Sequence, residues 1–250
     1  MQKRRRDLER AHQKVLEIIE AGGVPSEDDF APVWRVYRDL LGEAQHDKCA
    51  YCETRFRASY RGAVEHHRPK TAIQEITRLT RDRIVPGPTR RPGYWWLAYR
   101  FENWVLSCFD CNAAKGNYFP VRRRNKVIKP RAELSENPWL IDPLRHDPAG
   151  AFRFDEFGGI HAQRRTAAYT LRVCKLDRGL LEQERKRTAQ ALVRDLEDYE
   201  NAVVSRNDAA RRTALRRIKE ACAPDAPYAA MTRQLVEERV FLDWPTLSRI

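Results

Sequence analysis

The chain has 250 residues, 47 Lys and Arg against 35 Asp and Glu, and a formal net charge of +12. That length allows one large domain or two small ones with a real core, and six Trp, nine Tyr and nine Phe exclude a disordered composition. The charge surplus points to a polyanionic partner, nucleic acid before an anionic membrane surface, with an incidentally basic domain as the plainer alternative. No apolar run approaches the ~20 residues of a membrane span. Met1-Gln-Lys-Arg-Arg-Arg6 has no apolar stretch behind it, so a secretory signal is not expected and a cytoplasmic protein without membrane contact is.

In chain order, residues 2–21 carry a loose apolar face (Leu8, Val15, Leu16, Ile18, Ile19) that predicts a helix stopped by Gly22-Gly23. Ser26-Glu-Asp-Asp29 can cap a second helix, in which Phe30, Val33, Trp34, Val36, Tyr37, Leu40 and Leu41 form a core stripe. Short extended stretches are expected over 48–70. Residues 74–93, with five arginines and three prolines, read as a surface insertion beginning with one helical turn. Apolar character returns at Tyr94–Tyr99 and Trp104–Leu106, and a short helix is expected from about Asn112. Arg122-Arg-Arg-Asn-Lys126, Lys129 and Arg131 suggest a basic loop, either facing nucleic acid or simply solvated. Asn137–Pro143 reads as a buried turn, and Ala151–His161 around Gly158-Gly159 as a hairpin. From Thr166 the pattern is helical, with breaks near Asn207-Asp208 and at Pro224 and Pro227.

Two Cys-x-x-Cys pairs stand out, Cys49/Cys52 and Cys108/Cys111. In a reducing compartment disulfides are uncommon, and tight pairs favour metal. Two such turns supply four thiolates, the tetrahedral set that suits structural zinc; an iron–sulfur cluster is the competitor. Cys174 and Cys222 stand alone and are expected as packed small side chains.

Between the pairs lies Val64-Glu-His-His-Arg-Pro-Lys70, and Asn112 directly follows Cys111. Phosphodiester hydrolysis needs a base near neutral pH, which His supplies, and a divalent cation held by hard oxygen ligands, which Glu and Asn supply. Adjacent residues of a regular strand face opposite ways. Glu65 and His66 can therefore share a site only at a strand end or bulge.

These residues resemble the HNH endonucleases. The matching pattern is Cys49-x-x-Cys52, Glu65-His66-x-Arg-Pro-Lys70, then Glu102-Asn103 and Cys108-x-x-Cys111-Asn112-x-x-Lys115. Within them the chain is most similar to the HNH nuclease subunits of Septu-type (PtuB-like) and retron-associated antiphage systems. That similarity runs on through Trp96–Tyr99, Leu140-Ile-Asp-Pro143, Gly158-Gly-Ile160 and Leu176-Asp-Arg178, across about residues 45–190. The resemblance implies an α+β, mostly helical protein. Its ββα-metal (His-Me finger) core over 46–130 is braced by the zinc knot. Residues 1–45 form an N-terminal helical segment, and 131–250 form a hairpin followed by helices, a candidate for partner docking. It also implies His66 as general base, Glu65 and Asn112 as ligands of one Mg²⁺ or Mn²⁺, and Asn103 as the residue that orients the base. Lys70, Lys115 and Arg68 would hold flanking phosphates, His67 is the alternative base, and cutting would leave 5′-phosphate ends. The expected partners are nucleic acid, DNA rather than RNA, and an ATPase subunit. The alternatives are a non-catalytic zinc protein that binds nucleic acid or scaffolds a complex, a stand-alone restriction-type nuclease, and a tRNA-cleaving toxin.

Overall fold

The computed structural model describes residues 2–122, 130, 137–145, 148 and 150–249. Most of the basic loop at 121–131 therefore lies outside the described residues. Helix α1 spans Gln2–Glu20 and buries Leu8, Ala11 and Val15, which recur at helical spacing. Ser26 then donates from its backbone N and its Oγ to Asp29 Oδ2, at 2.7 and 2.8 Å. The single helix expected after Ser26 is not formed. The segment makes 3₁₀ turns at Glu27–Asp29 and Val33–Tyr37, and only Arg38–Ala44 is α-helical, as α2. Pro32 explains the break, since proline lacks the N–H and disfavours helix in the residue before it. The apolar stripe is correspondingly split: Trp34 is buried, while Val36 and Leu40 are more than half exposed.

Strand β1 (Ala63–His66) lies antiparallel to a later strand, Trp104–Ser107. The register runs from Ala63 opposite Ser107 to His66 opposite Trp104 without a shift. Gly62 admits the chain to β1. Its φ is +85°, and a Cβ there would sit 2.7 Å from Leu106 Cδ1. Between the two strands the chain forms a hairpin, β2 (Ile73–Leu79) and β3 (Ile84–Arg90), so Trp104–Ser107 is β4. This corrects the expectation of a turn-rich insertion with a helical turn. Pro86 and Pro88 fall inside β3, where a two-stranded ribbon with register shifts leaves proline's missing donor unneeded. Ile73 and Ile76 anchor the hairpin in the core. Helix α3 (Phe109–Lys115) follows β4 directly, starting earlier than expected.

The C-terminal part opens with a hairpin, β5 (Phe152–Phe154) and β6 (Ile160–Ala162). Helices α4 (Arg165–Val173), α5 (Gly179–Val204), α6 (Asp208–Cys222), α7 (Ala229–Val240) and α8 (Trp244–Arg249) complete the chain. Helix predominates among the described residues, beside three two-stranded sheets. No described helix is long and apolar enough to cross a membrane.

The three segments share their cores. Leu8, Val15 and Trp34 pack with Trp95, Tyr99 and Trp104, so α1 closes over the back of β4. Around the cysteine pairs, Ile73, Phe119 and Leu140 meet Tyr169, Leu176, Tyr228 and Met231 from the C-terminal helices. A third cluster of Leu192, Leu196, Ile218, Val236 and Leu247 lies among α5–α8 and includes Cys222; Cys174 is buried in the second cluster.

Candidate active site

Each cysteine pair sits on a tight backbone turn. Cys49 N donates to Thr54 O at 3.0 Å, Glu53 N donates back to Cys49 O at 3.0 Å, and Glu53 takes a φ of +58° to close the knuckle. Cys108 precedes α3 and Cys111 lies in its first turn. All four sulfurs are within 4.8 Å of one another and all four residues are buried. Cys52 Sγ and Cys108 Sγ are 3.8 Å apart. A tetrahedral ion with bonds of ~2.3 Å separates its sulfurs by about 3.8 Å, whereas a disulfide needs ~2.05 Å. The donor set therefore fits a metal such as zinc. Arg178 lies against it, its Nη1 3.5 Å from Cys111 Sγ and its Nη2 3.8 and 3.9 Å from the sulfurs of Cys108 and Cys52. Four thiolates around a divalent ion leave a net negative charge, which this guanidinium offsets. The first knuckle also holds the corner between α6 and α7. Lys48 Nζ donates to Ala226 O at 3.0 Å, and Ala230 N donates to Glu53 Oε2 at 3.0 Å.

Beside the knot is a cavity of about 450 Å³, lined in part by Glu65, His66, Lys70 and Asn112. These come from the end of β1, the turn after it and α3. His66 is the last residue of β1, and there the chain leaves regular strand geometry, which lets adjacent Glu65 and His66 border one cavity without a bulge. Glu65 is buried, with Lys115 Nζ 2.6 Å from its Oε1. Burial raises its pKa above the usual carboxylate value despite that ammonium. His66 Nε2 lies 2.8 Å from Ala98 O. A carbonyl only accepts, so Nε2 carries the proton and Nδ1 is the ring's acceptor. The Trp34 ring stands edge-on to the imidazole, centroids 4.7 Å apart. Burial, then the charges of Lys70 and Lys115, lower the His66 pKa to about 3 against the opposing Ala98 bond.

The remaining expected residues have other surroundings. His67 points away from the cavity, fully buried edge-on to Phe119, with Nδ1 3.5 Å from Tyr51 Oη. Asn103 is buried and braces the turn after β1, its Oδ1 accepting from Arg68 N at 2.8 Å and its Nδ2 donating to Arg68 O at 2.9 Å. Lys115 and Arg68, expected on phosphates, are inside the fold. Lys115 pairs with Glu65, and Arg68 Nη1 donates to Asp142 Oδ2 at 3.1 Å. Both cations are paired with buried carboxylates rather than set on the cavity wall. Lys70 does border the cavity, paired with Glu27 and stacked over the Trp34 ring at 5.2 Å.

Over 159 residues the chain is 32% identical to Septu protein PtuB of Bacillus mycoides (strain KBAB4), a stretch covering 61% of this chain and 50% of that protein. It is also 30% identical over 142 residues to Septu protein PtuA of the same strain, covering 54% of this chain and 18% of that one. The chain thus spans about half the length of the first relative and under a fifth of the second. No protein-family profile and no solved structure matches it.

Three features of the site were not read from sequence. Trp34 looked like ordinary core, yet its ring walls the imidazole. Arg178 sits against the sulfurs from a segment remote in sequence. Asp142 anchors Arg68 from the turn at 137–143. Both Asp142 and Arg178 fall in stretches that carry the family resemblance, Leu140-Ile-Asp-Pro143 and Leu176-Asp-Arg178, but nothing local in either stretch names a cysteine knot or Arg68 as its partner.

Proposed function

We propose that this protein is a metal-dependent endonuclease of the HNH type, hydrolysing phosphodiester bonds of nucleic acid, DNA first, within a Septu-like antiphage defence system and beside an ATPase subunit. The observation that carries the reading is the convergence of Glu65, His66 and Asn112 on one cavity next to the cysteine knot. The order of β1, β4 and α3, two antiparallel strands followed by a helix, supports a ββα-metal core. Similarity to two Septu proteins supports the defence setting.

In this reading His66 Nδ1 takes the proton of the water that attacks phosphorus, while the Ala98 carbonyl fixes the tautomer that leaves Nδ1 free to do so. Glu65 and Asn112 offer the hard oxygens for one Mg²⁺ or Mn²⁺. Such an ion supplies charge neutralisation at the scissile phosphate and the departing 3′ oxygen. Lys115 pairs with the buried Glu65 and works against the rise in its pKa that burial causes. Asn103 holds the turn that follows the base, and a metal on the four sulfurs would fix Asn112, the residue after Cys111 in α3, beside the same cavity.

The test is incubation of the purified protein, alone and with an ATPase encoded beside it, with plasmid, single-stranded DNA and tRNA in Mg²⁺, Mn²⁺ or chelator. Cutting of DNA that needs the divalent ion and is lost in His66→Ala supports the proposal. Binding without cutting in every condition, unchanged in His66→Ala, replaces it with a non-catalytic zinc protein.

A further inference from the structure

The cavity beside Glu65 and His66 has a second wall, formed by Arg35 and Arg38 of the N-terminal segment. Its carboxylates and its lysine are in ion pairs. Glu27 accepts from Lys70 and from Thr71, and Glu65 pairs with Lys115. Acids close in sequence to the two arginines are also taken, since Asp39 and Asp47 both pair with Arg57. Among the described residues, Arg35 and Arg38 have no anionic partner, and Arg38 Nε is buried without a hydrogen-bond partner. A buried guanidinium donor left unpaired is costly, by about 1–3 kcal/mol. Two cations facing one polar cavity without a counter-charge are a ready receptor for an anion with several oxygens.

We infer that Arg35 and Arg38 are the substrate-phosphate clamp of this site, binding the nucleic-acid backbone next to the bond that is cut. The inference rests on the nuclease reading and moves the phosphate-holding role from Lys115 and Arg68 to a segment that carries no nuclease motif. Residues 33–38 are then part of the binding surface rather than packing alone. Arginine suits the task, because its planar fork grips a phosphate through two parallel N–H donors.

The experiment is fluorescence anisotropy of labelled single- and double-stranded oligonucleotides, read against salt, with zinc-loaded protein in magnesium-free buffer so that no cutting occurs. Arg35→Ala and Arg38→Ala are each expected to flatten the slope of log Kd against log salt by roughly 0.7 to 0.9, the value of one lost phosphate contact. The double variant is expected to show both losses, and Arg35→Lys/Arg38→Lys to recover most of the slope. Arg212→Ala, on exposed α6 and outside the cavity lining, removes the same charge and is expected to leave the slope unchanged. Zinc content and thermal melts show whether the half-buried Arg38 variant is folded; exposed Arg35→Ala reads the clamp independently. Unchanged slopes in both arginine variants, or an equal loss in Arg212→Ala, overturn the clamp while wild-type cutting leaves the nuclease reading intact. A wild type that neither binds nor cuts overturns the nuclease reading and the clamp with it.

Discussion

Lys115 places its ammonium 2.6 Å from Glu65 Oε1 while the whole lysine is shut off from solvent. The pair sits between the end of β1 and the end of α3, so one ion pair joins the two elements that border the cavity. Removing one partner of a buried pair leaves the other charge uncompensated.

Lys115→Met should therefore destabilise the fold by about 3–5 kcal/mol, and adding Glu65→Gln should restore most of that. Urea denaturation of the two single variants and the double variant checks it. Additive losses would show that the two charges act independently.

His66 supplies a pH prediction. Its folded pKa of about 3 lies below the 6.5 of the unfolded chain, so the unfolded state takes up the proton first as pH falls. The stability due to this residue is fully present above pH 6.5 and is lost as pH drops toward 3. Between pH 6.5 and 5 the loss should be about 2 kcal/mol greater in wild type than in His66→Gln, whose amide does not titrate. Equal loss in the two proteins, measured by urea melts without Mg²⁺, would place the imidazole in a wetter setting. At pH 7 the same substitution should lower cutting by roughly 10²- to 10⁴-fold, the usual share of a general base.

The knot gives a third expectation. Cys111→Ser should abolish stoichiometric metal and collapse the thermal transition, because such an ion contributes roughly 10 kcal/mol or more in zinc-finger peptides. Arg178→Ala keeps all four sulfurs and should retain the metal but weaken its affinity by roughly 10- to 100-fold. Chelator-driven zinc release, followed with a colorimetric indicator, separates the two. Wild-type release from Arg178→Ala would mean that the guanidinium merely fills space.

Asn103→Ala leaves the N–H and C=O of Arg68 without their side-chain partner. The variant should lose about 2–6 kcal/mol of stability, since each of the two buried backbone groups left unpaired costs about 1–3 kcal/mol. Its cutting should fall as well, although Asn103 does not border the cavity. Thermal melts and cleavage assays run together check both halves; a stable variant with reduced cutting would point to direct contact with substrate.

Residue spacing made part of this architecture legible and tertiary context hid the rest. Two Cys-x-x-Cys turns need no partner information to suggest a metal, and the four sulfurs do meet. The register of β1 with β4 is another matter. The elements pair across the whole β2–β3 hairpin, and no local pattern near Glu65 names Val105 as its neighbour. The hairpin itself was hidden by its prolines, which propensity reads as turns and an edge strand tolerates. Charge was the most misleading guide. Lys115 and Arg68 look like surface cations in sequence, and only folding shows that Glu65 and Asp142 wait for them in the interior.

The hydrogen bonds from Lys48 and to Glu53 fasten the turn between α6 and α7 to the first cysteine knuckle. Residues nearly two hundred positions apart in sequence are thus tied at the turn that carries two of the four sulfurs. The knuckle is therefore a long-range tie as well as a local turn: the same few residues that present Cys49 and Cys52 also hold a helix corner from the far end of the chain.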